Sequence, residues 1–205
     1  CPHAAEGKKS TQKMNIDSFK TLVKQISDFS ENAVVSLSAF GEPLLHPEFE
    51  EFVKAVLMEP GLSVLVETDG INLNEQIIKK IAELANSVPH RRNGYEKIMW
   101  IVSIDAMTKE TYGLLRGSEE KFGYANAIVA LLQNYFPGSV YPQMVRMNEN
   151  EHELESFYRF WNEKTSPSGG NLVIQKYSNY CKSLPDRKPA DLSPIERNPC
   201  WHLRR

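Results

Sequence analysis

Residues 33–47, AVVSLSAFGEPLLHP, decide the fold because they predict a buried strand that breaks into a sharp turn before a helix. The turn is Gly41-Glu42-Pro43, in which glycine permits a left-handed backbone and proline ends the strand. The following residues, PEFEEFVKAVLM, have the apolar spacing of an amphipathic helix. Parallel α/β folds bind ligands at the carboxyl edge of the sheet, where this turn would place backbone N–H groups and one carboxylate. An ordinary strand–helix turn explains the same residues, and the turn taken alone favours that interpretation.

The composition is typical of a soluble globular domain, with 205 residues, 41% hydrophobic residues and a net charge of −2. This charge balance argues against a nucleic-acid or membrane partner, and no apolar run approaches the roughly 20 residues of a membrane span. Three cysteines, Cys1, Cys181 and Cys200, are too few for a disulfide framework and indicate a reducing, cytoplasmic compartment. Since the chain begins at Cys1 without a methionine, we expect it to be a fragment.

Apolar periodicity predicts strands alternating with helices along the whole chain. Strands are predicted near residues 33–37, 62–67, 98–104, 140–147 and 172–177, and helices near 15–30, 47–58, 74–86, 122–136 and from residue 150 onward. This alternation implies right-handed βαβ crossovers and a parallel sheet with helices outside it. A full eight-unit barrel takes about 250 residues, so five strands predict an incomplete barrel.

The strand at residues 98–104, IMWIVSI, is the most apolar and is predicted to lie centrally. It ends in Ser103-Ile104-Asp105, where Ser103 and Asp105 should point to the same side. Two polar groups at such an end need water or a ligand as a partner. Alternatively, Asp105 or Thr108 caps the helix that follows.

Other side chains receive structural interpretations. The loop at residues 89–96 is expected to be exposed, with solvated Arg91 and Arg92. Glu153 is placed to complete a capping-box pair with Asn150 at the start of a helix. The inward-facing stripes of the helices are expected to include Phe29 in the first helix, and Leu154, Phe157, Tyr158 and Trp161 in the helix after Asn150.

The Gly-Glu-Pro turn after a strand resembles the glycine-glutamate-proline motif of radical S-adenosylmethionine enzymes. In that family the motif holds the amino group of the cofactor's methionine moiety, which implies cofactor binding by Gly41, Glu42 and Pro43. The family's fold is a partial (β/α)6 TIM-like barrel. The resemblance therefore implies that the chain lacks its first strand, upstream of Cys1.

Further segments match the same family in the same order. Val-Ser-Ile-Asp followed by a helix ending in Leu-Arg-Gly resembles the family's fourth strand and helix. The resemblance implies that Ser103 contacts the cofactor's ribose or carboxylate, and that Arg116 meets the carboxylate with its planar fork. Asp105 is assigned to the same cofactor-binding site. Gln143 and Asn148, on the next strand, are implied to hold the adenosine end of the cofactor or to face the substrate.

Cys1-Pro2-His3 resembles the end of the family's CxxxCxxC signature. Cys1 would then be the third ligand of a [4Fe–4S] cluster, with two further cysteines upstream. Three thiolates leave the fourth iron open for the cofactor. Asn-Pro-Cys-Trp at residues 198–201 resembles the start of a SPASM or twitch extension, in which Cys200 would be the first ligand of an auxiliary Fe–S cluster. This division implies a core at residues 1–180 and a linker at 181–205.

The resemblance implies an iron–sulfur, metal-binding oxidoreductase supplied by an external electron donor. One electron from the cluster breaks a carbon–sulfur bond of S-adenosylmethionine, giving methionine and a 5′-deoxyadenosyl radical that abstracts hydrogen from the substrate. The SPASM-like ending associates such enzymes with peptide or protein modification. A degenerate homologue that binds a nucleotide-like ligand without redox chemistry, or a structural module, remains an alternative. With one candidate ligand for the main cluster, the chain itself is expected to be inactive.

Overall fold

The structure is a computed structural model that describes residues 12–38, 41–89, 91, 95–179, 182 and 184–190. Five strands lie within these ranges: β1 Ala33–Ser36, β2 Leu62–Thr68, β3 Ile98–Ser103, β4 Val140–Arg146 and β5 Val173–Lys176. Six α-helices accompany them: α1 Ile16–Phe29, α2 Phe49–Leu57, α3 Glu75–Ser87, α4 Lys109–Arg116, α5 Lys121–Tyr135 and α6 Leu154–Asn162. None of the helices in these ranges combines the length and apolar character needed to cross a membrane.

The five strands form one parallel sheet in which each strand pairs with the next strand of the chain. Since the strand order never reverses, the sheet has no switch point of the doubly wound kind and curls in one direction instead. The result is a curled half-barrel with helices around it. The predicted partial α/β barrel with a parallel sheet is therefore confirmed.

The core lies between the convex face of the sheet and the surrounding helices. Along β3, Ile98, Trp100 and Val102 are buried, whereas the intervening residues are only half-buried. The Trp100 ring lies 5.6 Å from the ring of Phe136, just beyond α5, so the buried set faces the helices. The intervening residues, including Ser103, consequently face the concave side of the half-barrel.

Three of the six described α-helices, α1, α3 and α4, begin at a residue whose side chain caps the helix. Asn15 caps α1 by accepting hydrogen bonds from the backbone N–H groups of Asp17 and Ser18. Thr108, rather than Asp105, caps α4 by accepting from the Thr111 N–H. Gly117 ends α4 with φ of 85°, a left-handed conformation that suits glycine.

The prediction that Arg91 is solvated is wrong, because the residue is only 7% exposed. Its guanidinium donates hydrogen bonds to the carbonyl oxygens of Gly61 at 2.9 Å and Ala33 at 3.1 Å, and to Ser63 Oγ at 2.6 Å. These acceptors replace water around the charge, so Arg91 ties the loop before β3 to the starts of β1 and β2. Arg92 lies outside the described residues.

Two predicted inward-facing aromatic residues are exposed. Phe29, the last residue of α1, is 93% exposed because the helix ends there. Phe157 and Trp161 of α6 are fully buried, as predicted, and Leu154 is partly buried against the same core. Tyr158 is 49% exposed, since one position along a helix rotates a side chain by about 100° away from its neighbour's face.

Candidate functional site

The predicted Gly-Glu-Pro turn lies at the carboxyl end of β1, and its carboxylate is bonded to the carboxyl end of β2. Glu42 Oε1 accepts hydrogen bonds from the Leu44 N–H at 3.2 Å and from Thr68 Oγ1 at 2.7 Å. Glu42 Oε2 accepts from the Asp69 N–H at 3.0 Å. Thr68 and Asp69 are partners that the local sequence did not reveal, because they lie 26 and 27 residues away along the chain.

Glu42 retains capacity for a cationic ligand. A carboxylate oxygen can accept about two hydrogen bonds, and the bonds described fill Oε1 but leave Oε2 with one acceptor position. Burial raises the pKa of Glu42 above its ordinary value despite the hydrogen bonds that oppose this shift. The protein's own donors thus replace water incompletely around this charge. A ligand's ammonium group could supply the missing hydrogen-bond donor to Glu42 Oε2.

Gly41 and Pro43 flank this carboxylate as the sequence predicted. Pro43 is buried and begins a short 3-10 helix, Pro43–Leu45, for which Glu42 is the N-cap. A Cβ atom added at Gly41 would meet no described atom within 4 Å. As far as the described residues go, a ligand could approach the backbone of Gly41 closely.

Ser103 and Gln143 lie side by side, because they are partners in the register of β3 and β4. Ser103 Oγ donates to Gln143 Oε1 at 3.1 Å, and Gln143 Nε2 donates to Gln175 Oε1 on β5 at 2.9 Å. The three side chains make a polar row across the concave face. Gln175 was missed, since it becomes a diagonal neighbour of Gln143 only through the β4–β5 register, which pairs Gln143 with Val173 and cannot be read from either strand alone.

Asp105 and Arg116 are brought together, but as partners of each other. Asp105 is 3% exposed; its Oδ2 accepts from Arg116 Nη2, and its Oδ1 accepts from the Val145 N–H at 2.7 Å. The strand ends at Ser103, and Asp105 has φ of 61°, so the alternation predicted to align these two residues does not apply. A left-handed backbone at a residue other than glycine is a strained state that persists where its surroundings impose it.

Asn150 supplies part of those surroundings. The residue is completely buried, and its Nδ2 donates to the carbonyl oxygens of Asp105 at 2.8 Å and Val145 at 3.0 Å. Its Oδ1 accepts from the Met147 N–H at 2.8 Å. Asn150 therefore fixes the turn after β3 against the end of β4, a role that the sequence did not indicate.

The predicted capping-box role of Glu153 is wrong, because its carboxylate reaches the turn after β3 instead. Glu153 Oε1 accepts from Thr108 Oγ1 at 2.6 Å and Thr111 Oγ1 at 2.8 Å, and its Oε2 accepts from the Met107 N–H at 2.6 Å. Burial alone would raise the pKa of Glu153, but these hydrogen bonds outweigh it and hold the pKa below its ordinary value.

The remaining predicted residues lie apart or outside the described ranges. Asn148 is exposed, and its backbone N–H donates to the Arg187 carbonyl oxygen at 2.8 Å. The predicted metal ligands Cys1 and Cys200 lie outside the described residues. Within the described ranges, no group of three or more His, Cys, Asp or Glu residues could hold a metal ion.

No protein-family model matches the chain. An uncharacterized protein of Treponema pallidum (strain Nichols) is 44% identical over 189 residues, covering 90% of this chain and 51% of that protein. An uncharacterized protein of Methanocaldococcus jannaschii is 32% identical over 116 residues, covering 53% of this chain and 37% of that protein. The chain thus spans about half the length of the first of these relatives.

Two further comparisons concern proteins with descriptive names. The tungsten-containing aldehyde ferredoxin oxidoreductase cofactor-modifying protein of Pyrococcus furiosus is 30% identical over 71 residues, covering 35% of this chain and 20% of that protein. The solved structure of native anSMEcpe with bound AdoMet superimposes with a TM-score of 0.62 at 18% identity, covering 83% of this chain and 45% of that chain. The described half-barrel therefore shares the fold of part of a protein that has been solved with AdoMet bound.

Proposed function

We propose that the chain is the core of a radical S-adenosylmethionine enzyme and binds S-adenosylmethionine (AdoMet) at the carboxyl edge of the half-barrel. The observation that carries this proposal is the geometry of Glu42, whose half-buried carboxylate bridges β1 and β2 and keeps one acceptor position beyond its hydrogen bonds to described residues. The fold shared with AdoMet-bound anSMEcpe supports the choice of ligand.

The charges at this edge suit the amino-acid moiety of AdoMet. Glu42 would accept from the ammonium group, and Arg116 would donate to the carboxylate, since a guanidinium fork binds carboxylates well. The row formed by Ser103, Gln143 and Gln175 offers hydroxyl and amide groups to the ribose or the adenine. Opposite charges on different strand ends would thereby orient the ligand along the edge.

Cys1 and two cysteines upstream of it would hold a [4Fe–4S] cluster, and Cys200 would begin an auxiliary cluster site. When bound, the cluster supplies the electron for reductive cleavage of AdoMet, which is the source of the radical chemistry. An external donor would provide that electron. We further propose a peptide or protein substrate, on the basis of the SPASM-like residues 198–201.

The test uses the full-length protein, purified without oxygen and reconstituted with iron and sulfide. About four or more irons per chain, together with 5′-deoxyadenosine formed from AdoMet and dithionite, are expected. Iron-free protein, or clusters that never cleave AdoMet, would contradict the proposal. In that case a degenerate homologue that binds a nucleotide-like ligand would account better for the site.

A matched pair of variants tests the site itself. Glu42→Gln should weaken AdoMet binding about tenfold or more, because it removes a charge-assisted hydrogen bond to an ammonium group. Glu51→Gln, on the exposed side of α2, should leave the affinity unchanged. Calorimetric titration measures both affinities. Equal affinities for the two variants would contradict the role proposed for Glu42.

A further inference from the structure

Tyr112 has a buried hydroxyl with no hydrogen-bond partner in the described part of the chain. The residue is 0% exposed, and its ring lies 5.5 Å from the ring of Phe122. It occupies α4 four residues before Arg116, so both side chains lie on the same face of the helix. A buried hydroxyl without a partner destabilises a fold, and such a group calls for a specific explanation.

Three charged groups act on this hydroxyl: Arg116, Asp69 and Asp105. Burial raises the pKa of Tyr112, and the positive charge of Arg116 only partly opposes this shift. The phenol therefore stays protonated at neutral pH and is available as a donor. Both carboxylates already accept hydrogen bonds from other groups, and neither is bonded to Tyr112. No described residue therefore supplies an acceptor for this donor, and a ligand could supply one.

We propose that Tyr112 is a ligand-binding residue whose O–H group donates to one oxygen of a ligand carboxylate while Arg116 binds the other oxygen. The inference rests on the proposed function, in which that carboxylate belongs to AdoMet. The Arg116 side chain is 26% exposed, so its guanidinium is the part of this cluster that a ligand meets first. Tyr112 then adds a second donor behind the exposed cation.

A carboxylate satisfies both residues at once. It accepts hydrogen bonds without donating any, which matches the protonated phenol, and its charge is opposite to that of Arg116. A neutral acceptor would pair with the hydroxyl but leave the cation dependent on Asp105 alone. An ammonium group would be repelled by Arg116 and could not accept from Tyr112.

Tyr112→Phe removes only the hydroxyl and tests this role in the reconstituted full-length protein. Titration calorimetry with AdoMet and with decarboxylated AdoMet compares ligands that differ in the carboxylate. The variant should bind AdoMet about tenfold or more weakly, and should bind the decarboxylated compound within about twofold of wild type. Its melting temperature should equal or exceed that of wild type, since no protein hydrogen bond is lost. Tyr158→Phe, which changes an exposed tyrosine on α6, should alter neither affinity.

The outcomes separate this inference from the proposed function. If wild type binds AdoMet and Tyr112→Phe binds it equally well, the inference fails and the proposed function stands. The inference also fails if the variant weakens both compounds equally, or if it does not fold. If wild type binds neither compound, the proposed function and the inference fail together.

Discussion

Glu153 offers a direct test of whether the segment before α6 holds the candidate site in place. Its carboxylate accepts hydrogen bonds from the Met107 N–H, Thr108 Oγ1 and Thr111 Oγ1, all of which belong to the turn after β3 or the start of α4. Glu153→Gln preserves the shape of the side chain. The glutamine oxygen can accept from Met107, while its NH2 group donates to the two hydroxyls, whose O–H groups are free to rotate. Glu153→Ala removes every one of these bonds.

The two variants should differ in size of effect. A hydrogen bond to a charged group contributes about 1.5–3 kcal/mol and a neutral one about 1 kcal/mol, so the loss of charge in Glu153→Gln should lower the free energy of unfolding by about 1–3 kcal/mol. Glu153→Ala leaves buried donors unpaired and should lower it by about 3–5 kcal/mol. Urea unfolding followed by tryptophan fluorescence measures both values.

The pH dependence gives an independent measure of the same contact. Because the fold holds the pKa of Glu153 below its ordinary value of 4.5, the stabilisation is fully present above that value. It is lost as pH falls from there through the lower pKa of the folded state. Glu153→Gln has no such proton to take up, so the difference in unfolding free energy between wild type and this variant should shrink as the pH falls below 4.5.

Glu155→Gln is the matched control, because Glu155 lies on the exposed side of α6 and forms a surface ion pair with Arg159 at 2.5 Å. A surface pair of this kind contributes less than about 1 kcal/mol, so the control should be nearly neutral. The reasoning is refuted if Glu153→Gln lies within about 0.5 kcal/mol of wild type near neutral pH. It is equally refuted if the gap to wild type stays constant as the solution is acidified.

Three further predictions concern Glu42, Arg91 and a pair of glycines. AdoMet affinity should fall as the pH decreases through the raised pKa of Glu42, since only the ionised carboxylate attracts an ammonium group. Calorimetry measures the affinity, and an affinity independent of pH would contradict this prediction. Arg91→Met should lower the free energy of unfolding by about 2–4 kcal/mol in urea, because buried carbonyl oxygens lose their donor, and a neutral effect would show that water replaces it. Gly117→Ala should lower the free energy of unfolding by about 1 kcal/mol, because residue 117 has a positive φ. Gly123→Ala should raise it by about 0.5–1 kcal/mol, because Gly123 lies within α5 with no described atom near the added methyl group. Urea unfolding measures both changes, and the same sign for both variants would refute the argument.

The order of strands and helices could be predicted because it depends on patterns within short segments. Apolar periodicity placed β2 and β3 within one residue of their bounds, and it identified the α2 stripe that is buried in the structure. Alternating strands and helices then restrict the sheet to parallel pairing. The position of Glu42 in a turn after β1 could also be predicted locally, since the neighbouring glycine and proline favour a turn.

Contacts between distant segments depended on the tertiary structure. Glu42 meets Thr68, Ser103 meets Gln143, and Glu153 meets Thr108 at separations of 26, 40 and 45 residues. The register of the strands and the packing of the loops decide such pairs, and neither can be read from the residues of one short segment. The burial of Arg91 follows the same rule, because its acceptors Ser63 and Ala33 lie 28 and 58 residues away along the chain. The sequence by itself thus determined which elements form and where their polar ends lie, whereas only the three-dimensional packing decided which of those polar groups bond to one another.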